Sequence, residues 1–253
     1  MLTALTRPTG PELQQCELTH LDRSPIDIGR ACGQHDVYLQ VLRDLGVDVI
    51  ELERLPDHPD AVFVEDPILV LDEVAVLLRP GIESRLGEVE SLATAIAPFR
   101  NTVRIEAPAT IDGGDLIRLG TTILAGVTSR TSSEGADALA ALVAAFGYRV
   151  QTVPVTGCLH LKTAATALDP ETLIAHSPFV DLSEIDAKVV EVDLFEAHGA
   201  NIVRVGETVI ADATAPMTLD LLASHGYQVV GVDVSEFAKA EGALSCKSVL
   251  FSG

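Results

Sequence analysis

The chain has 253 residues, of which 47% are hydrophobic, and a formal net charge of −20. It is long enough to bury one large core or two small ones. The strong acidity disfavours nucleic acid and anionic membranes as partners and suits a cationic small molecule. No apolar run is long enough to span a bilayer, and the N-terminus lacks a charged segment followed by an apolar one. We therefore expect a cytoplasmic protein.

Four cysteines are widely separated in the sequence: Cys16, Cys32, Cys158 and Cys246. They form no CxxC pair, so the sequence offers no framework for a zinc knuckle or for a fold held together by disulfides. We predict no structural metal, and each cysteine has to be considered as a single thiol.

Hairpin patterns recur along the chain. Each consists of a short apolar strand, a turn and a second apolar strand, over residues 68–77, 117–125, 167–175 and 203–211. The second and the fourth share one pattern: apolar, Arg, apolar, Gly, any residue, Thr, apolar, apolar, Ala. A recurrence about every 50 residues is typical of propeller-like arrays.

Helical patterns lie between the hairpins, and short strands follow them. The predicted helices cover residues 26–45, 83–96, 132–146 and 216–224, and the third begins with serines suited to an N-cap. The predicted strands that follow cover residues 48–52, 102–106, 150–153 and 228–232. The repeating unit is therefore a hairpin, a helix and a strand.

The chain length divided by the repeat period gives about five such units. We predict one domain over residues 1–253, an α/β propeller with five-fold pseudosymmetry, built from ββαβ-type units around a central channel. A generic α/β domain with accidentally similar hairpins is the alternative. In a ring the loops at one end converge, so polar residues at the hairpin ends become candidates for a site.

The first unit carries acidic residues at both ends of an apolar run. Asp60 precedes the run, and Glu65 and Asp66 end it. Adjacent carboxylates are costly to bury without a cation, and a guanidinium would satisfy both with planar, bidentate hydrogen bonds. An acidic turn on the surface is the simpler interpretation of the same residues.

The second unit contains Asp112-Gly113-Gly114-Asp115 directly before a strand. The two glycines allow the backbone to approach another group closely, although an ordinary Asp-Gly turn has the same sequence. Two nearby arginines, Arg85 and Arg130, are suited to binding a carboxylate. A solvated or ion-paired arginine is the alternative for either of them.

His160 lies in the third unit between two leucines. We predict a strand here, on which the leucines face one side and His160 faces the other with Cys158 and Lys162. An imidazole on the polar side is a natural base for a nucleophilic thiol, and Asp112 could orient it. A histidine satisfied within the core is the alternative.

The candidate nucleophile is Cys246. It lies between a glycine at position 242 and the apolar run 249–251, which we predict to start a buried strand. Lys247 beside it would favour the thiolate, the nucleophilic form of the side chain. The alternative is an inert buried cysteine next to a surface lysine.

Taken together, these segments resemble the dimethylarginine dimethylaminohydrolases of the guanidino-group-modifying (pentein) superfamily. The matching segments are VFVED, RPGIESR, IDGGDLI, GVTSRT, CLHLKT and GALSCKSVL, and they occur in the family's order across most of the chain. The resemblance implies the five-unit propeller, in agreement with the repeats. It also implies hydrolysis of Nω-methylated arginine to citrulline and a methylamine, without a metal or an organic cofactor.

The resemblance implies a role for each matching position near the reacting bond. Cys246 would be the nucleophile, which forms an S-alkylthiouronium intermediate with the substrate. His160 would be the general acid and base, and Asp112 would orient it. Glu65 and Asp66 would hold the guanidinium group of the substrate.

Five more positions would bind the amino-acid end of the substrate. Asp60 and the backbone carbonyl of Leu21, in a lid, would take the α-amine. Arg85 and Arg130 would take the α-carboxylate, and the backbone of Ala240 would also face the substrate.

Two other functions stay open. A related guanidino hydrolase, such as an arginine deiminase-like enzyme, would act on a different guanidino compound, and the Glu65-Asp66 pair disfavours it. A non-catalytic amino-acid-binding propeller would bind a ligand without turnover, and it would have no need of the Cys246 thiol. In each case the expected partner is a small guanidino molecule rather than nucleic acid or membrane. The oligomeric state stays open, with a homodimer as one option.

Overall fold

The computed structural model describes residues 1–253, and its fifteen strands form five separate three-stranded sheets. In chain order, the sheets are β1 (Leu2–Thr6) with β2 (Asp48–Glu51) and β15 (Val249–Ser252); β3 (Ile68–Val70) with β4 (Ala75–Leu77) and β5 (Thr102–Arg104); β6 (Leu116–Leu119) with β7 (Thr122–Val127) and β8 (Arg149–Pro154); β9 (Ala165–Asp169) with β10 (Thr172–Ala175) and β11 (Lys188–Glu191); and β12 (Val203–Val205) with β13 (Thr208–Asp212) and β14 (Gln228–Val232).

All five sheets have the same topology. The central strand pairs antiparallel with one neighbour and parallel with the other, as β7 does with β6 and β8. The sheet that contains both chain ends follows the same rule, because β1 pairs antiparallel with β15 and parallel with β2. The C-terminal strand therefore supplies the hairpin partner that the N-terminal unit lacks, and this pairing closes the ring.

The α-helices are α1 (Ile28–Asp44), α2 (Val89–Ile96), α3 (Ser133–Val143), α4 (Leu161–Ala164), α5 (Pro216–Ser224) and α6 (Ser235–Ala238). Four helices, α1, α2, α3 and α5, connect the central strand of a sheet to its parallel neighbour, whereas the short helices α4 and α6 lie between sheets. Ser132 caps α3 by accepting a hydrogen bond from the Gly135 amide. Between β10 and β11 a 3-10 turn, Ser177–Phe179, replaces the long helix found in the other units. None of the helices combines the length and the apolarity needed to cross a membrane.

The innermost strands of the five sheets surround a central channel. Residues from β3, β6, β9, β12 and β15 all line it. The apolar residues pack around this axis as five clusters, the largest of which contains 20 buried residues and lies beneath α1. Long connections between the sheets converge at one end of the channel, where the polar residues of the site collect.

The fold prediction is confirmed. All four predicted hairpins are present, and so are the four predicted helices and the four strands that follow them, with ends shifted by a few residues. In the second predicted helix, 83–96, only Val89–Ile96 is α-helical, and Glu83–Glu88 forms a 3-10 helix. Gly120 and Gly206, which sit at the turns of the two matching hairpins, have φ values of +56° and +61°. Those left-handed values explain the glycine in the repeated pattern. Strands β1 and β11 were not predicted, and the extent of the domain stays a prediction.

Candidate active site

Cys246 lies in a 3-10 turn, Ser245–Lys247, directly before β15. Three hydrogen bonds with two residues, Glu65 and Asn201, hold the turn. The Glu65 amide donates to the Cys246 carbonyl at 3.3 Å, and the Ser245 amide donates to Asn201 Oδ1 at 3.0 Å. Asn201 Nδ2 also donates to Ser245 Oγ at 2.9 Å. The thiol, only 8% exposed, is therefore fixed by neighbours that are far apart in the sequence.

His160 does not lie on a strand, and that prediction was wrong. It is the N-cap residue of α4, and its own backbone is extended. Asp115 causes the change, because its Oδ1 accepts a hydrogen bond from the Leu161 amide at 2.9 Å and supports the start of the helix. The side chain of His160 is nevertheless aimed at the site, and it is 5% exposed.

A completely buried carboxylate orients the imidazole. His160 Nε2 and Asp112 Oδ2 are 3.2 Å apart. Asp112 Oδ1 accepts from the Gly81 amide at 2.8 Å, so the carboxylate is itself held in place. The prediction that Asp112 reaches the histidine is confirmed in its geometry, while its role in a reaction stays a proposal.

The second glycine of the Asp-Gly-Gly-Asp segment explains how the backbone passes so close to this pair. A Cβ at Gly114 would lie 2.6 Å from His160 Nδ1 and 2.8 Å from Asp66 Oδ1. Any larger residue would displace one of these side chains, and the Gly114 amide also donates to Asp66 Oδ1 at 2.9 Å. This is the close backbone approach that the sequence predicted.

The electrostatics favour a neutral thiol beside a charged imidazole. Burial raises the pKa of Cys246 to about 12, and the nearby carboxylates of Asp66 and Glu65 act in the same direction. Burial alone would lower the pKa of His160, but the carboxylates around it, those of Asp66, Asp115 and Asp112, raise it to about 9. At neutral pH the ligand-free site therefore holds a thiol and an imidazolium ion.

This protonation state predicts slow alkylation of Cys246 in the free protein. Iodoacetamide reacts with thiolates, so the rate should rise about tenfold for each pH unit between 7 and 10. A free cysteine would level off above about pH 8.5. Mass spectrometry of the peptide that contains Cys246 would give the rate. A rate that does not change with pH above 7 would contradict the assignment of a neutral thiol.

The outer part of the site binds the segment of residues 17–25, which we call the lid segment. Asp60 Oδ2 accepts a hydrogen bond from the Glu17 amide at 3.1 Å. Arg130 Nη2 donates to Thr19 Oγ1 at 3.0 Å. Both Asp60 and Arg130 are buried, and burial raises the pKa of Asp60 to about 6 although Arg85 opposes the shift. Two of the five predicted ligands of the amino-acid end thus contact the lid segment.

Arg85 is predicted to bind the substrate carboxylate, but in this structure its guanidinium is occupied by the protein. Its nitrogen atoms donate to both carboxylate oxygens of Glu88 and to Asp66 Oδ2. Nη2 also donates to the carbonyl oxygens of Phe63 and Asp60. The side chain is 4% exposed. Arg85 borders a cavity that Cys246 and His160 also line, and its role as a substrate ligand stays a prediction.

Glu65 and Asp66 lie on different sides of the chain. Asp66 lines the cavity that contains Cys246 and His160. Glu65 lines the central channel instead, where it pairs with Lys162 and accepts a hydrogen bond from Ser245 Oγ at 2.9 Å. The structure therefore places one of the two predicted guanidinium ligands in the cavity, and the role of the other stays a prediction.

The cavity lined by Cys246, His160 and Asp66, which we call the catalytic cavity, is small. Its volume is about 20 Å³, which has room for about one water molecule. Ala240 lines it, whereas Leu21 lines a neighbouring cavity of about 330 Å³ and is half-exposed, and the roles of both at the substrate stay predictions. The two cavities share Leu159, Glu241 and Gly242 as a common wall. A ligand larger than water requires part of this wall or the lid segment to move.

His160 and two aspartates offer three possible metal-ligand atoms that lie close to one another. Atoms of Asp66, Asp112 and His160 all lie within 4.8 Å of one another. Each of these side chains already has a hydrogen-bond or ion-pair partner in the protein, and the guanidinium of Arg85 contacts Asp66 directly. A divalent cation would have to displace these partners, so the prediction of no metal is retained as a prediction.

Lys247 is not a surface residue. Its side chain is completely buried, and its Nζ lies 4.3 Å from the ring centroid of Tyr38 and 4.8 Å from that of Phe237. Nζ has no hydrogen-bond partner, and burial lowers the pKa of Lys247 to about 7. The ammonium ion therefore interacts with aromatic ring faces and makes no hydrogen bond to the neighbouring thiol.

Replacing Lys247 by methionine should stabilise the protein by about 2 kcal/mol near pH 6, because it removes a buried amine without a partner and keeps the volume. Because the pKa of Lys247 is lower in the folded protein than in the unfolded chain, the free-energy cost of burying its charge is fully present below pH 7. This cost disappears as the pH rises towards about 10.4, the pKa of lysine in the unfolded chain. Urea denaturation at pH 6 and pH 10 measures both effects.

Lys188→Met, on the exposed face of β11, is the matched control and should change the stability by less than about 0.5 kcal/mol. A Lys247→Met variant that is destabilised at pH 6 would show that the aromatic contacts outweigh the desolvation of the amine.

The fold and the site together define a class of protein. The arginine deiminase family model matches residues 93–196. The N-terminal domain of ArgZ, an arginine dihydrolase from cyanobacteria, is 20% identical and covers 98% of this chain and 97% of its own, with a TM-score of 0.89, which shows a common fold. Five such modules around a channel, with a cysteine and a histidine at one end, are the architecture of the pentein superfamily.

Two comparisons are more specific. A dimethylarginine dimethylaminohydrolase from Streptomyces coelicolor is 39% identical over 248 residues, which cover 97% of this chain and 95% of the relative. The structure of DDAH from Pseudomonas aeruginosa, a cysteine-to-serine mutant complexed with citrulline, is 34% identical, covers 98% of both chains and has a TM-score of 0.94. The chain belongs to the dimethylarginine dimethylaminohydrolase family.

Proposed function

We propose that this protein hydrolyses Nω,Nω-dimethylarginine to citrulline and dimethylamine, with Cys246 as the nucleophile. The observation that carries the proposal is the cavity that brings the Cys246 thiol together with His160 and Asp66. Family membership agrees with this chemistry. The substrate is a small guanidino cation, and the buried carboxylates of Asp60 and Asp66 offer the negative charge that attracts it.

Thiol activation is the first step. The free thiol has a raised pKa because it is buried among carboxylates, so few molecules carry a thiolate. A guanidinium bound against Asp66 adds a positive charge beside the sulfur and lowers the thiol pKa. The thiol proton leaves to solvent, and the sulfur attacks the guanidinium carbon.

Two proton transfers by His160 complete the reaction. As an imidazolium ion it donates a proton to the dimethylamine nitrogen, the C–N bond breaks, and an S-alkylthiouronium remains on Cys246. The neutral imidazole then removes a proton from water, whose oxygen attacks the same carbon. The C–S bond breaks with its electron pair on sulfur, the hydroxyl proton of the adduct passes to the thiolate and regenerates the thiol, and citrulline leaves. Asp112 holds the imidazole orientation through the contact at 3.2 Å.

Product analysis tests this proposal. The protein is incubated separately with Nω,Nω-dimethylarginine and with arginine, and citrulline, dimethylamine and ammonia are measured. Citrulline and dimethylamine in equal amounts from the first substrate are expected. Citrulline and ammonia from arginine at the higher kcat/KM would identify an arginine deiminase-like enzyme instead, and binding without any product would identify an amino-acid-binding propeller.

Two further parts of the sequence interpretation remain predictions. These are the cytoplasmic location and the homodimer. Light scattering coupled to gel filtration would decide between a mass near 26.7 kDa and twice that value.

A further inference from the structure

We propose that Glu241 is a positioning residue that holds the lid segment closed over the catalytic cavity, as a latch. Its expected effect on turnover rests on the proposed function. The carboxylate of Glu241 accepts hydrogen bonds from three consecutive backbone amides. Its Oε2 accepts from Thr19 at 2.8 Å, and its Oε1 accepts from His20 at 2.5 Å and from Leu21 at 2.7 Å. Three successive N–H groups around one anion form a specific and charge-assisted contact.

The backbone at Glu241 supports a special role for this side chain. Glu241 is the only non-glycine residue in the protein with a positive φ, at 56°. Such a conformation is unfavourable for a residue with a Cβ and persists where the surrounding structure requires it. A glycine would relieve the strain, so the carboxylate offers a reason to keep glutamate at this position.

Glu241 also stands where movement of the lid segment would matter. It belongs to the wall that separates the catalytic cavity from the larger one of about 330 Å³, and His20 and Leu21 border that larger cavity. The lid segment runs between two buried residues, Cys16 and Ile26, and residues 19–25 are exposed. The segment can therefore move between fixed ends while the core stays intact.

The two ends of the lid segment are held by residues outside the predicted site, because Ser84 Oγ donates to Glu17 Oε1 at 2.9 Å and Lys239 Nζ donates to the Pro25 carbonyl at 3.2 Å. Two further contacts differ from that of Glu241 in kind. Asp60 and Arg130 hold Glu17 and Thr19, but both are predicted to bind the substrate, which would compete with the lid segment for them. Glu241 is not among the predicted substrate ligands, and its carboxylate is occupied by the lid segment. It can therefore keep the segment closed after the substrate has taken over Asp60 and Arg130, and it retains the substrate in this way.

Two measurements that need no turnover test the latch. Trypsin cleavage after Arg23, an exposed residue of the lid segment, reports on its opening. Alkylation of Cys246 at pH 9 reports on access to the cavity. In Glu241→Gly both rates should rise about tenfold, because the contacts with a charged acceptor are lost while the backbone is relaxed. Glu241→Gln, which keeps one acceptor oxygen, should lie between this variant and the wild type.

Turnover adds a third measurement. Glu241→Gly should raise KM for dimethylarginine about tenfold and change kcat by less than about threefold, because chemistry at Cys246 is untouched while retention of the substrate is weakened. The matched control is Glu191→Ala, since Glu191 likewise accepts from a backbone amide, that of Ser177 at 2.7 Å, but lies in a distant loop. This control should leave all three quantities unchanged.

The possible results separate this inference from the proposed function. Unchanged cleavage and alkylation rates in Glu241→Gly would overturn the latch, whether or not the protein turns over dimethylarginine. Equal increases in Glu191→Ala would also overturn it, because the effect would then be general loosening. Increased rates with an unchanged KM would overturn the role in substrate retention.

Discussion

Replacing Cys246 by serine should abolish citrulline formation from dimethylarginine, with a loss of about 10³-fold or more in kcat. A serine hydroxyl ionises far less readily than a thiol, and a nearby guanidinium that lowers the thiol pKa would not bring a hydroxyl into the same range. The surroundings of the residue should be kept, because the side chain is buried and nearly isosteric. Citrulline release measures the effect on turnover. The mass of the protein shows whether the S-alkylthiouronium intermediate forms on residue 246.

Substrate binding should survive this substitution, since the proposed substrate ligands Asp60, Asp66 and Arg130 are unchanged. Isothermal titration of Cys246→Ser with dimethylarginine should therefore give a Kd close to the wild-type value. The matched control is Cys32→Ser, whose thiol contacts the carbonyl of Thr9 and lies outside the catalytic cavity. Citrulline production by Cys246→Ser at the wild-type rate would rule out the cysteine mechanism.

The repeating part of the fold could be predicted because its signals are local. A hairpin with a two-residue turn needs a left-handed residue at a fixed place, and glycine at positions 120 and 206 satisfies that need. Helix α5 begins at Pro216 and ends at Ser224, as predicted, because proline favours the first turn of a helix. Each of these features depends on residues within one repeat.

The conformation around His160 could not be predicted in the same way. Alternating polar and apolar residues favoured a strand, but the carboxylate of Asp115, 46 positions away from Leu161, supports a helix start instead. A tertiary hydrogen bond therefore decides the local structure. The histidine still reaches the site, because the N-cap position directs it towards Asp112.

Long-range partners also explain what the sequence did not reveal in the site. Glu65 and Asp66 are neighbours in the chain and looked like one binding pair, yet Lys162 holds the first in the central channel and Arg85 holds the second at the cavity. Asn201, which fixes the turn of Cys246, had no local signal at all. The residue types of a site can be recognised in a sequence, whereas the partners that each side chain contacts depend on tertiary packing.

Replacing Arg85 by methionine should destabilise the protein by about 3–5 kcal/mol at pH 8. The substitution leaves the buried carboxylates of Asp66 and Glu88 without their cation and removes the donor to the carbonyl oxygens of Phe63 and Asp60. If Arg85 served only to bind substrate, the variant would lose affinity but keep its stability. Urea denaturation followed by circular dichroism measures the difference.

A surface pair provides the control for this experiment. Arg118 contacts Asp72 at 2.7 Å, but both side chains are partly exposed, so Arg118→Met should cost less than about 1 kcal/mol. Arg85→Lys keeps the charge but not the planar set of donors, and its stability should lie between those of the wild type and Arg85→Met.

The pH dependence of Arg85→Met distinguishes orphaned carboxylates from a simple loss of packing. In the wild type, burial would raise the pKa of Asp66, but Arg85, together with His160 and the Gly114 amide, lowers that pKa to about 2. The carboxylate therefore adds stability above about pH 4, and this stability is lost as the pH falls towards 2. Without Arg85 the pKa of Asp66 should rise above its unfolded value, which reverses the sign: the carboxylate then destabilises the fold at high pH and is relieved when it is protonated. The difference in stability from the wild type should therefore be smaller at pH 5 than at pH 8. An equal difference at both pH values would mean that packing around the arginine side chain, rather than its charge, stabilises this part of the site.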